Sequence, residues 1–551
     1  MKKIVTVSLV AALALTSSYG ASNAQLASQL NSLEAELADV KKQLKKQNTK
    51  INKVRAHDAG DNIKWGVDLR TGVDNINYDL ADGTSAGNDA LLGMRLWLNM
   101  AYAPDSHNIF KGRLSMNKAY GADFGYPGRA HGLGEMFDWT GNAALADNHL
   151  KVSEAYWLYL GDKAFGADIP WTFSLGRRPS TSGFLANLRE DDPESSPLGH
   201  IINVEFDGFS SKLDLSNVTG VPGMSFKVCM GRGASSATPL FETATTYADD
   251  TLENIDMAGF IFEPYNDGQF IVKTTWFKAF NLPGMDMATD IDGMPVVRDD
   301  FGNGDIVDLG SDPEARFTYE STEFNQYGDI QGAAVSVLVD GLADDGFLAD
   351  TKLFGSFAWS KTEPEAGSMM LGSADDETGT SYWVGAQVPV TEKGNFGVEF
   401  NHGSQYWRPF TYAEDTMIGS KLAARGDAWE AYFNYQITDA LSAQVRYTDI
   451  SYDYTGSNGF FGNYSGGANS IDDMKAGAAG WDQMGGGNPA NPTDIYNVAE
   501  TMAVMNGTHA DPTDPNDPFM AQAGQMAGAK AMLPNIVEAA QDFRFYLRYR
   551  F

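Results

Sequence analysis

Cysteine is almost missing from this chain: Cys229 is the only one in 551 residues. A lone thiol allows no intrachain disulfide, no CxxCH haem attachment and no cysteine zinc cluster. A haem-carrying electron conduit is thereby excluded, although a barrel that sheathes another protein's haems is not. Long apolar runs are missing too. After the first fifteen residues no run of about 18 apolar residues occurs, and mean hydropathy is −0.30, which excludes a helical membrane protein. Basic residues are scarce, 40 against 72 acidic ones, for a net charge of −32. That balance argues against nucleic acid, which calls for a basic footprint. The seven histidines (His57, His107, His131, His149, His200, His402 and His509) are scattered. No seryl or aspartyl grouping accompanies them at productive spacing, so the chain does not read as an enzyme.

What is present is concentrated first at the two ends. Over the last ten residues Phe543, Phe545, Leu547, Tyr549 and Phe551 alternate with Asp542, Arg544, Tyr546, Arg548 and Arg550. Successive side chains of a strand point to opposite faces, so this strand has one apolar, aromatic face and one charged face. Such a strand separates oil from water, as the closing strand of an outer-membrane barrel does. Tyr549 and Phe551 are then the expected assembly signal for the barrel-assembly machinery. At the other end Lys2 and Lys3 precede an apolar run from Ile4 to Leu15 and a small-x-small site, Ser22 to Ala24. That pattern predicts a signal peptide over 1–24. An exported chain with no spanning helix can enter a membrane only as a closed barrel, because unpaired strand edges cannot sit in lipid.

Leu26, Leu30, Leu33, Leu37, Val40, Leu44, Gln47, Ile51 and Val54 recur with 4-3 spacing, a heptad seam two positions wide. The seam predicts a coiled coil over 25–57 that associates with its own kind, and leucine at a with β-branched residues at d favours three strands. Lying before the first strand, it is expected in the periplasm, reaching toward the cell wall.

From residue 58 to 551 the period falls to two, and about 16 strands of roughly ten residues are expected. Ile63 to Val73 is the first; Met94–Met100, Phe110–Met116, Met224–Met230 and Phe270–Trp276 follow, then Val335–Val339, Leu353–Trp359, Val384–Val390, Phe396–Phe400, Ala431–Ile437 and Leu441–Tyr447. Weaker signals lie near 150–160, 170–177, 201–215 and 255–264. Short turns such as Tyr265–Gly268 and Thr391–Gly394 alternate with long polar insertions, the longest at 453–540. The fold class expected is an all-β, up-and-down antiparallel outer-membrane β-barrel preceded by a coiled-coil helix. Alternating connection lengths are the mark of such a barrel, with short turns in the periplasm and long loops outside.

Glu154 to Gly161, reading EAYWLYLG, is followed by Trp171 to Pro179, reading WTFSLGRRP. This pair resembles the adjacent EAYxxxxG and Gly-Arg strands of many Gram-negative porins. With the coiled-coil leader and the final aromatic strand, the chain resembles an uncharacterised family of outer-membrane porins led by a periplasmic coiled coil. The resemblance implies a homotrimeric channel surrounded by outer-membrane lipid and assigns no solute.

The expected inward positions are rich in bases: Lys64, Arg70, Arg95, Lys111, Arg113, Arg177, Lys273, Lys352, Arg446, Arg544 and Arg548. These are the candidate pore-lining residues, and they favour small anions, because low-dielectric walls of one sign concentrate counter-ions. The loops hold most of the acid. The 453–540 insertion, with short helices expected near Ile495–Met505 and Met520–Ala531, is the candidate for narrowing or covering the pore. Asp511, Asp514 and Asp517 could hold Ca²⁺, but repeated Asp-Pro more often marks turns; no other cofactor is implied. The function expected is passive diffusion of small hydrophilic solutes or ions. The alternatives are a structural envelope protein with a loop-closed barrel and a coiled-coil tether, or a sheath for an electron-transfer partner.

Overall fold

The computed structural model describes residues 63–121, 148–179, 182–234, 254–286, 323–343, 345–411, 417–457, 461, 467–514 and 517–551, with a ribbon at 297–299 and 317–319. The expected signal peptide and coiled coil lie outside the described residues, as does most of the acidic stretch between 287 and 322.

Sixteen antiparallel strands close into a barrel in chain order. They are β1 (Lys64–Leu80), β2 (Ser85–Tyr102), β3 (Asn108–Ala119), β4 (Lys151–Gly161), β5 (Trp171–Pro179), β6 (Glu205–Asp214), β7 (Ser225–Ala234) and β8 (Ile255–Asn266), then β9 (Phe270–Asp286), β10 (Glu323–Asp340), β11 (Lys352–Pro364), β12 (Thr378–Thr391), β13 (Gly394–Gly403), β14 (Gly426–Gln436), β15 (Leu441–Tyr452) and β16 (Val537–Arg550). The final strand closes the ring on the first. Asp68 stands opposite Arg550 and Asp74 opposite Arg544, and Val67 and Phe551 exchange both backbone hydrogen bonds at 3.0 Å. The weak signals at 150–160, 170–177, 201–215 and 255–264 are all strands; β2 begins at Ser85, well before the expected Met94.

The chain divides into two compact units. One is Trp65–Ala101 with Phe110–Phe551 and holds most of the barrel. The other holds, among the described residues, Ile63, Lys64 and Tyr102–Ile109. In the latter, Asp105 accepts the backbone N–H of His107 and of Asn108 at 2.8 Å, an Asx turn that reverses the chain.

The faces of the strands are inverted relative to a soluble protein. Trp429, Val445, Tyr447, Phe543, Phe545 and Leu547 are exposed, Trp429 to 54%. Their neighbours Glu430, Arg446, Thr448, Asp542 and Arg544 are buried, Arg446 to 1%. Apolar surface of this extent is stable only against lipid, where the apolar band of an outer-membrane barrel stands about 25 Å tall. The outward residues from Phe543 to Phe551 span roughly 26 Å along the chain at ~3.3 Å per residue, which a tilt of about 40° reduces to about 20 Å, most of the height of that band.

The inside is filled unevenly, for reasons written in the inward positions. Those of β12 to β16 and of β1 are large: Trp383, Tyr432, Arg446, Tyr546, Arg548 and Arg70 are all buried. Those of β5 to β8 are small: Gly176, Gly208 and Gly231 lie side by side across three strands, followed by Ser210, Cys229 and Gly259. At Gly208 a Cβ would come within 2.1 Å of the Met230 carbonyl oxygen, so the close approach of the backbones demands glycine.

The 453–536 connection carries three helices, α2 (Ile471–Gln483), α3 (Pro492–Met505) and α4 (Pro518–Met532); α1 belongs to the β5–β6 connection and is described below. Ser470, Asn491 and Asp517 cap their N-termini, and proline opens α3 and α4 where a missing N–H costs nothing. The helices share a core of Trp481, Val498, Ala499, Met502, Ala523 and Ala527. Ile471 and Ala478 of α2 join Ile76, Ile450 and Ala540 at the ends of β1, β15 and β16. The two expected helices are α3 and α4; α2 was not anticipated, because Gly477 and Gly480 mask its pattern.

Candidate functional site

The element that enters the lumen is the 180–204 connection between β5 and β6. It contains α1 (Ala186–Glu190) and a short parallel pairing of Gly183–Phe184 with Ser195–Leu198. The 453–540 insertion, the candidate for this role on length, sits instead at the end of the barrel that carries the long connections. The reason is chemical. The insertion is rich in Gly, Ala and Met and buries its apolar residues against itself and against the ends of β1, β15 and β16, whereas 189–194 offers the wall one arginine and four carboxylates.

Those charges are all engaged. Glu190 accepts from Arg446 of β15 at 2.5 Å, from Tyr546 of β16 at 3.1 Å and from Arg70 of β1 at 3.2 Å. Arg189 reaches Glu430 of β14 at 3.3 Å, and its carbonyl accepts from Gln444 at 2.8 Å and from Asn434 at 3.1 Å. Asp192 pairs with Arg548 at 2.5 Å, Asp191 with Arg550 at 3.0 Å, and Glu194 with Lys273. The connection is thus tied to strands on opposite sides of the ring.

A second inward connection, described at 404–411 and 417–425, meets the first. Phe410 donates to the Ile201 carbonyl at 2.9 Å, and Asn203 to the Phe410 carbonyl at 2.5 Å. Lys421 bonds Glu399 at 2.5 Å and Glu430 at 2.6 Å, completing a buried chain of alternating charges across the closed half of the lumen. Burying ions is costly unless every partner is present, and losing one partner of a buried pair typically costs about 3–5 kcal/mol.

His200 sits where the two connections meet the wall. Its Nδ1 lies 2.8 Å from Ser356 Oγ and its Nε2 2.9 Å from Ser381 Oγ, and its ring packs beside Trp383 and Trp407. Complete burial lowers its pKa from 6.5 to about 3, so the imidazole is neutral.

The other half of the lumen stays open as a cavity of 790 Å³ between 191–197 and the wall of β2 to β9. Asp191, Asp192 and Glu194 face it from the connection. Lys111, Arg113, Glu154, Arg178 and Lys227 face it from the wall, and Met257, Ile261, Phe277 and Ile202 supply an apolar side. A sphere of that volume would be roughly 11 Å across, comparable to the screening length of about 8 Å at physiological salt. Charges on its walls therefore act across its whole width.

The sequence-expected pore-lining bases divide by this geometry. Lys111 and Arg113 line the cavity; Arg113 pairs with Glu154 at 2.8 Å and stacks 4.2 Å from the Trp97 ring. Arg548 touches its edge while paired to Asp68 and Asp192. Arg70, Arg446 and Lys273 are buried against Glu190 and Glu194. Arg95 pairs with Asp68 at 3.5 Å, Arg544 with Asp74, and Lys352 with Asp340 at 2.5 Å. Lys64 is exposed at the start of β1.

Arg177 requires a correction. It shares the face of Leu175, which is exposed, and stands opposite Asp207 in a row of cross-strand charges completed by Arg232 and Asp256. The inward residue of that pair is Arg178, one position on. Lys227 is a further wall base that the sequence offered, since it falls between the outward Phe226 and Val228. Arg189 and Glu190 carried no periodic signal and could not be placed from sequence.

Asp511, Asp514 and Asp517 form turns and a cap rather than a cage. Asp511 accepts the Thr513 N–H at 2.9 Å, and Asp517 accepts from Phe519 and Met520 at 2.9 Å. No group of three or more potential metal ligands converges among the described residues.

A closed barrel with a lipid-facing apolar wall, a polar interior and an inward-folded connection defines a transmembrane β-barrel of the outer-membrane type. The chain belongs to the family described as "Protein of unknown function (DUF3373)", which it matches over residues 85–497. Among solved structures it is similar to the Pseudomonas putida protein titled "High pH structure of Pseudomonas putida OprB", at 11% identity over 90% of this chain and 96% of that one, with a TM-score of 0.42. It is similar also to the "Anion-selective porin from Comamonas acidovorans", at 10% identity over 89% of this chain and 99% of that one, with a TM-score of 0.41. The Vibrio cholerae outer-membrane protein OmpT matches at 10% identity over 89% of this chain and 97% of that one, TM-score 0.38. No curated protein sequence matches the chain.

Proposed function

We propose that this protein is an outer-membrane porin through which small hydrophilic solutes or ions diffuse passively along the open half of the lumen. The observation that carries the reading is the off-axis cavity between 191–197 and the β2–β9 wall. A barrel whose task was structural alone would gain stability by filling that half as it fills the other. The bases that line it, Lys111, Arg113, Arg178, Lys227, Arg548 and Arg550, slightly outnumber the carboxylates Asp68, Glu154, Asp191, Asp192 and Glu194. A modest preference for anions follows. With the acid on the inserted connection and most of the base on the wall, a transverse field crosses the cavity.

On the same reading, residues 1–24 direct export and residues 25–57 form a periplasmic coiled coil. That coil trimerises the chain through Leu26, Leu30, Leu33, Leu37, Val40, Leu44 and Ile51. Tyr549 and Phe551 engage the barrel-assembly machinery, and residues 58–551 form the barrel in outer-membrane lipid.

Planar-bilayer recording of the purified mature chain in a salt gradient tests the porin reading. Discrete conductance steps with a reversal potential on the anion side are expected; their absence at all voltages would favour the structural alternative. That alternative draws on one observation of its own, the buried charge chain from Glu399 to Asp192 that braces half of the lumen.

A further inference from the structure

We propose that the open half of the lumen holds a recognition site for organic monocarboxylates that have a compact apolar body. Three features of the 790 Å³ cavity converge on that class. Arg178 faces it without a carboxylate partner among the described residues. One Nη donates to Ser174 Oγ at 2.5 Å and to Ser210 Oγ, and the guanidinium lies 4.8 Å from the Tyr156 ring. Its Nε is buried and without an acceptor among the described residues, and its second Nη makes no hydrogen bond to them. A carboxylate is the acceptor that the open edge of a guanidinium fits best. The other arginines of the cavity, Arg113, Arg548 and Arg550, each already pair with an acid.

Lys111 is a further base on the wall of the cavity. It is exposed and has no carboxylate partner among the described residues. Lys227 lines the cavity as well.

The adjoining stretch of wall, across the strand pairing from Lys227, is apolar. Met257 and Ile261 of β8, only partly buried and backed by the buried Phe277 of β9 and Ile202 of the inserted connection, present hydrocarbon where a channel for inorganic ions needs none. Apolar surface in a wet lumen gains free energy only when something apolar covers it. The volume lies within the range of sites that take small organic molecules and exceeds what a hydrated inorganic ion requires. A solute with a carboxylate at one end and a small ring or branched chain at the other satisfies Arg178 and Lys111 while covering Met257 and Ile261.

The site deepens the porin reading, yet it can be measured without a current. Calorimetric titration of the full-length protein in detergent with benzoate, acetate and benzyl alcohol compares the whole solute with each of its halves. Saturable benzoate binding is expected, with acetate and benzyl alcohol each weaker by about tenfold or more, the factor typical of losing one charged hydrogen bond or an equivalent apolar contact. Arg178→Gln should weaken benzoate about tenfold, and Lys111→Gln, on an exposed side chain that folding does not need, by a smaller factor. Arg232→Gln on the outer face should leave it unchanged. Heat-modifiable migration verifies that each variant is folded. Benzoate that binds no better than benzyl alcohol, or that ignores both lumen substitutions, would overturn the proposal. Saturable binding to a barrel that does not conduct would uphold this site and sink the porin reading alone.

Discussion

At the scale of single residues, what decides the lumen is whether a charge has a partner. Glu190 serves three strands at once, and His200 is held neutral between Ser356 and Ser381 by burial. The histidine makes a pH dependence that can be signed. Its folded pKa, about 3, lies below its ordinary 6.5. Below pH 6.5 the unfolded chain takes up a proton that the folded chain refuses, so stability is full above 6.5 and falls as pH drops toward 3. The urea midpoint of the wild type should therefore decline more between pH 7 and 4 than that of His200→Gln, which keeps a polar group but cannot titrate. Parallel declines would show that His200 is not held neutral. Little of this was legible in the sequence. Histidines among loops carry no period, and the correct arginine of the Arg177–Arg178 pair depends on register, where a slip of one residue exchanges lumen for lipid.

At the scale of elements, legibility follows period. Strands with a lipid face and a lumen face alternate strictly, and β1, β11, β13, β15 and β16 were visible for that reason. β5 and β6 were faint because glycines and serines replace large inward residues there, and β4 because its inward Tyr156 and Leu158 are as apolar as its outward residues. The heptad seam of 25–57 is equally periodic but lies outside the described residues. The inserted connection obeys no period, and length drew attention to 453–540, expected to narrow or cover the pore, rather than to 180–204. What places 180–204 is its density of charge against a wall of opposite charge. Glu190→Ala removes the acceptor shared by Arg70, Arg446 and Tyr546, and taking one partner out of that buried charge cluster should cost about 3–5 kcal/mol. The expected outcome is new protease cleavage within 180–204 and a rise in unitary conductance, with heat-modifiability of the barrel intact. An unchanged cleavage pattern and conductance would mean that the remaining ties, Arg189 to Glu430 and Asp192 to Arg548, suffice to hold the element.

At the scale of the whole molecule, a barrel braced on one side and open on the other is joined in sequence to a proposed self-associating helix. If the seam sets the oligomer, Leu37→Asp with Leu44→Asp places charges where three helices meet. Crosslinking should then give monomers where the wild type gives trimers; trimers that survive both changes would move the cause to contacts between barrels. The central claim, however, is that water and solutes pass along the β5–β8 side of the lumen, and the chain carries its own reporter. Cys229 is the sole thiol, half-buried, and lines the open cavity. Single-channel recording before and after addition of a charged, membrane-impermeant thiosulfonate tests the claim most directly. Open steps should shrink on modification and stay unchanged in Cys229→Ser. Conductance that persists at full size after mass spectrometry shows Cys229 fully modified would contradict it, because the current would then run elsewhere.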